Sequence, residues 1–106
     1  MNRGEVRWYT FSPPDKRRPV VILTRDPSLR YLNEVTVAAV TSTMRGVPSE
    51  VILGQEDGMP HTCAVNLYHI QTIAKAKLGR VITVLSQEKM AQLSVAIDYA
   101  LDLGLV

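Results

Sequence analysis

The sequence predicts a mostly-β domain closed by one C-terminal helix, folded as a small, strongly bent barrel or sandwich. Three observations carry this. Short β-prone runs follow one another from Glu5 to Leu85, punctuated by Pro, Gly and Asp. One amphipathic stripe at helical spacing follows, between Met90 and Leu101. With 106 residues, 46% of them hydrophobic, the chain suits one domain (1–106) with one modest core.

Taken in order, Glu5–Phe11 is a strand in which Val6 and Trp8 alternate with Glu5 and Arg7, so it should be half buried. Ser12-Pro13-Pro14-Asp15 ends it. The second strand begins at Pro19, which cannot donate to a ladder, and runs through Val20, Val21, Ile22 and Leu23 to about Thr24. Its lack of alternation predicts cover on both faces. Arg25–Arg30 is a turn with one short helical turn. Glu34–Ser42 is a third strand, ending in the hydroxyls of Thr41, Ser42 and Thr43. Short strands follow at Glu50–Leu53, Thr62–Leu67, Ile70–Ala74 and Arg80–Leu85, with a tight helical turn at Lys75–Gly79. Ser86 is a good N-cap for the last helix, Glu88 suits its first turn, and Gly104 should close it. Met90, Leu93, Ala96, Ile97, Ala100 and Leu101 form its apolar stripe. So many short strands leave an edge to cover, which a homodimer would do.

The charge is only mildly basic, at +2. Its distribution says more: residues 1 to 50 hold eight Lys and Arg against five Asp and Glu, while residues 51 to 106 hold four against five. The single cysteine, Cys63, has no internal disulfide partner, which fits a reducing compartment. No signal-peptide core opens the sequence and no apolar run is long enough to span a membrane, so a cytoplasmic location is expected.

His61 and His69 lack metal-ligand spacing, and no acidic cluster, P-loop, dinucleotide fingerprint or nucleophile elbow is present. No metal or cofactor is expected. What remains is a phosphate site. Arg18 stands immediately before a rigid strand, and its planar fork matches phosphate oxygens. Thr41 ends a neighbouring strand, with Ser42 beside it, and can add a neutral donor. Such a pair can stabilise charge developing on a phosphoryl group. RNA brings its own 2′-OH nucleophile, so a metal-free cleaver needs in-line geometry, a charge stabiliser and a proton carrier. Arginine, with a pKa above about 12, suits the electrostatic role. Each candidate also has a plain structural reading. Arg18, Arg17, Lys16 and Arg45 can be solvated cations, Thr41 a strand-end threonine, His69 a surface histidine, Trp8 a core residue and Cys63 an inert buried thiol.

Five segments, in order, resemble the MazF/PemK family of toxin endoribonucleases nearly end to end. They are R-G-E-V-R-W at Arg3–Trp8, R-R-P-V-V-I-L at Arg17–Leu23, V-A-A-V-T-S at Val37–Ser42, V-N-L-Y-H-I-Q-T-I at Val65–Ile73, and K-L-G-R-V at Lys77–Val81 before a helix ending L-D-L-G-L. The resemblance implies an SH3-like barrel with a C-terminal helix, usually a homodimer. It implies metal-independent cleavage of single-stranded RNA to 2′,3′-cyclic phosphate and 5′-OH ends, and neutralisation by a cognate antitoxin. By position it implies catalytic roles for Arg18 and Thr41 and RNA contact by His69 and Asn66, with Lys16, Arg17 and Ser42 beside them. The loop between the first two strands is shorter than in many members, and Asp15 is its one acidic group. His69 is a second candidate proton carrier, because histidine titrates near neutral pH. Two other readings stand beside this one. A gyrase-poisoning toxin of the related CcdB type would carry its active surface at the C-terminal helix, often with a terminal aromatic, but this chain ends Leu103-Gly104-Leu105-Val106. A non-catalytic SH3-like domain would bind nucleic acid without cutting it.

Overall fold

The computed structural model describes residues 1–14 and 16–105. Six antiparallel strands form one sheet: β1 Glu5–Thr10, β2 Arg17–Ile22, β3 Glu34–Thr41, β4 Glu50–Leu53, β5 Cys63–Ala74 and β6 Val81–Val84. Their order across the sheet is β4-β5-β3-β2-β1-β6. A four-residue helix, α1 (Asp26–Leu29), follows β2, and α2 (Gln87–Leu101) follows β6. The sheet curls into a half-barrel. Its two edges are tied by Thr83 Oγ1 of β6, which donates to the Asp57 carbonyl in the turn after β4 (2.9 Å). Lys89 of α2 reaches the same region, donating to the Ile52 carbonyl at 2.8 Å.

The core lies on both faces of the sheet, as the unbroken apolar run of β2 predicts. Val21 joins the larger cluster with Val6, Ala38, Val40, Leu67, Leu93 and others. Val20 and Ile22 join a second cluster with Leu29, Val35, Val37 and Ile73. Leu93 and Ala96 of α2 are buried among the strands, whereas Leu101, expected in the apolar stripe, is 54% exposed. Ser86 caps α2 as expected, its hydroxyl accepting from the Lys89 N–H at 3.2 Å. The helix ends earlier than the sequence indicated: Asp102, not Gly104, is the first left-handed residue (φ 54°). Asparagine and aspartate tolerate that conformation better than other non-glycine residues.

Three further differences bear on the site. β2 begins at Arg17, with Pro19 opposite Trp8 inside the strand. The strands expected at Thr62–Leu67 and Ile70–Ala74 are one twelve-residue strand, β5, carrying a wide bulge. Ala38 pairs with Ile70 and Ala39 with Asn66, so Leu67, Tyr68 and His69 drop out of the β3–β5 ladder. Finally, Glu5, expected on the polar face of β1, is only 7% exposed. Its carboxylate accepts from Arg7 Nε (2.8 Å) and the Asn2 N–H (3.0 Å), so the burial is compensated.

Gly58 closes the turn that ties the edges. Its φ is +89°, and a β-carbon there would run into Thr83 Oγ1. Gly46 has φ +69° with open space around it. Gly46→Ala should lose roughly 1–2 kcal/mol, the backbone cost alone. Gly58→Ala should lose more, because the Thr83 contact must shift as well. Urea midpoints measured side by side check this, and equal losses would show that the Thr83 tie contributes nothing.

Candidate nucleic-acid interface and catalytic site

The site is built where β2 and β3 part. Pro19 has no N–H to carry the ladder on toward β3, and the β2–β3 pairing stops at Val20↔Ala39. Continuing that register by two residues sets Arg18 opposite Thr41. Alternation puts Arg18 on the face of Val20 and Ile22, and Thr41 on the face of Val37 and Ala39. The two side chains therefore emerge on one face, at the rim of the smaller core cluster.

They line one open cavity of about 660 Å³, together with Asn66 and His69. Four residues singled out from sequence are thus brought together from β2, β3 and the β5 bulge. Lys16, Arg17 and Ser42 do not line it. Arg17 faces the other way, its guanidinium 4.3 Å from the centre of the Trp8 ring. Lys16 and Ser42 are exposed beyond the strand ends. Asp15 lies outside the described residues.

Among the described residues, the hydrogen bonds leave donors free. Thr41 Oγ1 accepts from the Thr43 N–H at 3.1 Å, so its own hydrogen remains available to a ligand. Asn66 Oδ1 accepts from the Tyr68 N–H at 3.0 Å, which turns the amide's NH₂ away as a second free donor. Arg18 is half buried and has no ion pair among the described residues. A cation and two oriented donors converging in one cavity suit a phosphate.

Sequence reasoning missed Phe11, Thr43, Glu50, Tyr68 and Gln71 and assigned Arg45 no role beyond a cation that can be solvated; all six also line the cavity. Glu50 Oε1 accepts from the N–H groups of Arg45 and Gly46, both at 3.0 Å, and so pins the loop after β3. Tyr68 had a readable signal: with His69 it interrupts two apolar runs, at the position of the bulge. The Arg45 and Glu50 contributions depend on a loop closure that spacing does not reveal.

Cys63 does not belong to this chemistry. Burial pushes its thiol up, with the Asp57 carboxylate adding to the effect, so it stays a neutral thiol. Among the described residues, no group of three His, Cys, Asp or Glu is placed to hold a metal. None of their helices is long and apolar enough to cross a membrane.

Residues 2–101 match the family described as PemK-like, MazF-like toxin of type II toxin–antitoxin system. The chain is 40% identical over 92 residues to "Endoribonuclease MazF3" of Mycobacterium tuberculosis, covering 87% of this chain and 89% of that protein. Among solved structures it is similar to "Mycobacterium tuberculosis toxin MazF-mt6", with a TM-score of 0.85, 36% identity, and 92% and 96% of the two chains covered. A mycobacterial "Endoribonuclease in complex with its cognate antitoxin" superposes with a TM-score of 0.85 at 25% identity, covering 100% of this chain and 97% of that one.

Proposed function

The chain belongs to the PemK-like, MazF-like toxin family of type II toxin–antitoxin systems, and from that membership we propose that it is an endoribonuclease whose cutting site is the Arg18–Thr41 cavity. The observation that carries the assignment of the site is the convergence of a half-buried arginine, without an ion pair among the described residues, with the donors of Thr41 and Asn66. The substrate is single-stranded RNA, whose exposed phosphates and splayed bases such an open cavity can receive. The 2′-oxygen attacks the adjacent phosphorus, the bond to the 5′-oxygen breaks, and the products carry a 2′,3′-cyclic phosphate and a 5′-OH. The 2′-OH proton passes to a base, and a proton is returned to the leaving 5′-oxygen. Arg18 and Thr41 hold the phosphate and stabilise its growing charge. No metal ion takes part. The protein works in the cytoplasm, where messenger RNA lies, until a cognate antitoxin neutralises it. A homodimer completes the reading, supported by the exposed apolar residues Ile52, Val81 and Val84 on the edge strands β4 and β6.

His69 is the proton carrier in this scheme, since it is exposed beside the cavity at the bulge. His69→Gln should lower cleavage by roughly 10²-fold or more and remove a limb of the pH–rate profile. An unchanged rate and profile would remove His69 from proton transfer. The reading as a whole is tested by incubating purified protein with a long mixed-sequence RNA in EDTA and sequencing the 5′-OH ends. Cuts at one repeated short sequence are expected. Intact RNA with well-folded protein would overturn it.

A further inference from the structure

Among the described residues that line the cutting cavity, Glu50 is the one carboxylate. A negative charge in a cavity that receives phosphates repels the ligand, so its presence calls for a compensating role. Its hydrogen bonds supply one. Glu50 Oε1 accepts from two successive N–H groups, those of Arg45 and Gly46, both at 3.0 Å. The turn that aims both at one oxygen uses the left-handed backbone of Gly46, with φ +69°. Glu50 is itself fixed as the first residue of β4. It pairs with Asn66 of β5, and its N–H donates to the Val47 carbonyl at 3.0 Å. The loop it holds has little else to hold it. Residues 42–48 are all exposed, so no buried side chain anchors them. Thr41 and Glu50 supply the only side-chain acceptors for their N–H groups among the described residues. Arg45 lies midway along this loop, lines the cavity, and has no ion pair among the described residues. In the sheet, Thr41 on β3 and Asn66 on β5 stand between Arg18 on β2 and Glu50 on β4. The loop that Glu50 holds is therefore across the cavity from Arg18.

We infer that Glu50 is a positioning residue for this site: through the N–H groups of Arg45 and Gly46 it holds the 42–49 loop so that the Arg45 guanidinium takes a backbone phosphate of the RNA next to the one being cut. The inference rests on the RNA-cleavage reading of the cavity. Glu50 does its work through Arg45 and touches no reacting atom. Its charge is turned toward backbone N–H groups, which offsets the repulsion a carboxylate would otherwise exert on the RNA. Without it, an exposed loop bearing a long, flexible cation has to be ordered by the RNA itself, and that ordering is subtracted from binding. The cavity thus has a cation on each side: Arg18 for the phosphate being cut, Arg45 for its neighbour.

The test is the salt dependence of binding to a fluorescent single-stranded RNA, 2′-O-methylated throughout so that it cannot be cut. Wild type, Arg45→Ala, Glu50→Ala, Glu50→Gln and the double alanine variant are compared. Loss of one phosphate contact on a single strand lowers the slope of log affinity against log salt by about 0.7. Arg45→Ala should show that loss. Glu50→Ala should show it too, although it removes an anion, and the double variant should lose no more than Arg45→Ala alone. Glu50→Gln keeps an oxygen that accepts both N–H groups and should restore the wild-type slope. A wild-type slope with equal or tighter binding in Glu50→Ala overturns the inference. So does a wild-type slope in Arg45→Ala, which changes only an exposed loop side chain and so decides the matter even where Glu50→Ala lowers the urea midpoint. In cleavage, both alanine variants should raise KM roughly tenfold, the worth of one charged hydrogen bond. If Glu50→Gln is instead as inactive as Glu50→Ala and loses a limb of the pH–rate profile, Glu50 transfers a proton and the positioning role is overturned. If wild type cuts no RNA, the cleavage reading itself fails, while the salt slopes still decide the role of Glu50.

Discussion

Arg18→Ala is expected to lower RNA cleavage about 10³-fold with no loss of fold. Removing one donor from a site that stabilises transition-state charge costs roughly 10²–10³ in rate, and here the donor also carries the charge. Arg18 is anchored beside Pro19 on a buried strand, so its guanidinium is held where the phosphate must sit. It makes no ion pair among the described residues, so its truncation leaves no carboxylate there stranded. The unfolding midpoint should therefore stay within about 0.5 kcal/mol of wild type. Arg18→Lys keeps the charge but loses the two-pronged fork, and should fall between wild type and the alanine variant. Single-turnover cleavage with a matched urea titration checks both parts. Full activity in Arg18→Ala would return this residue to the status of a surface cation.

Thr41→Val is the second large effect, roughly 10²-fold, from loss of one neutral donor. Valine preserves the β-branched shape that the strand end prefers, so the change isolates the hydroxyl. Thr41 Oγ1 accepts from the Thr43 N–H, and that constraint leaves its hydrogen free for the phosphate. In Thr41→Val the Thr43 N–H turns to water, since this part of the loop is exposed. Thr41→Ser keeps the hydroxyl and should retain most of the activity. If the interaction strengthens in the transition state, kcat and kcat/KM fall together, whereas a rise in KM alone would mean that Thr41 serves ground-state binding.

Arg18 and Thr41 were legible because each stands at a strand end marked by chemistry the eye can find: a proline after one, a run of hydroxyls at the other. Their mutual placement follows from the β2–β3 register. The non-alternating run of β2 also reported its two-sided burial correctly. Other features depended on long-range closure. The break at Tyr68 and His69 read as a boundary between two strands, yet β5 continues through it, because a bulge costs only a local interruption of the ladder. Arg18 was set apart from Arg17 as the residue immediately before the strand, whereas the strand in fact begins at Arg17 and its alternation sends the two to opposite faces. Arg45 and Glu50 entered the site through hydrogen bonds to loop N–H groups, which no side-chain pattern announces. Glu5 was misread as a solvent-facing residue because alternation does not report its compensating partners, Arg7 two residues along β1 and the Asn2 N–H of the turn before it.

The central claim is that this cavity stabilises a phosphate while the RNA supplies its own nucleophile. The most direct test is cleavage, in EDTA, of two short RNAs containing the mapped cut sequence, one of them with a single 2′-deoxynucleotide on the 5′ side of the cut bond. The account predicts that the all-ribose strand is cut to a 2′,3′-cyclic phosphate and a 5′-OH, and that the singly substituted strand stays intact. Cleavage of the substituted strand at the same bond would show that the attacking oxygen comes from elsewhere, and would contradict the account.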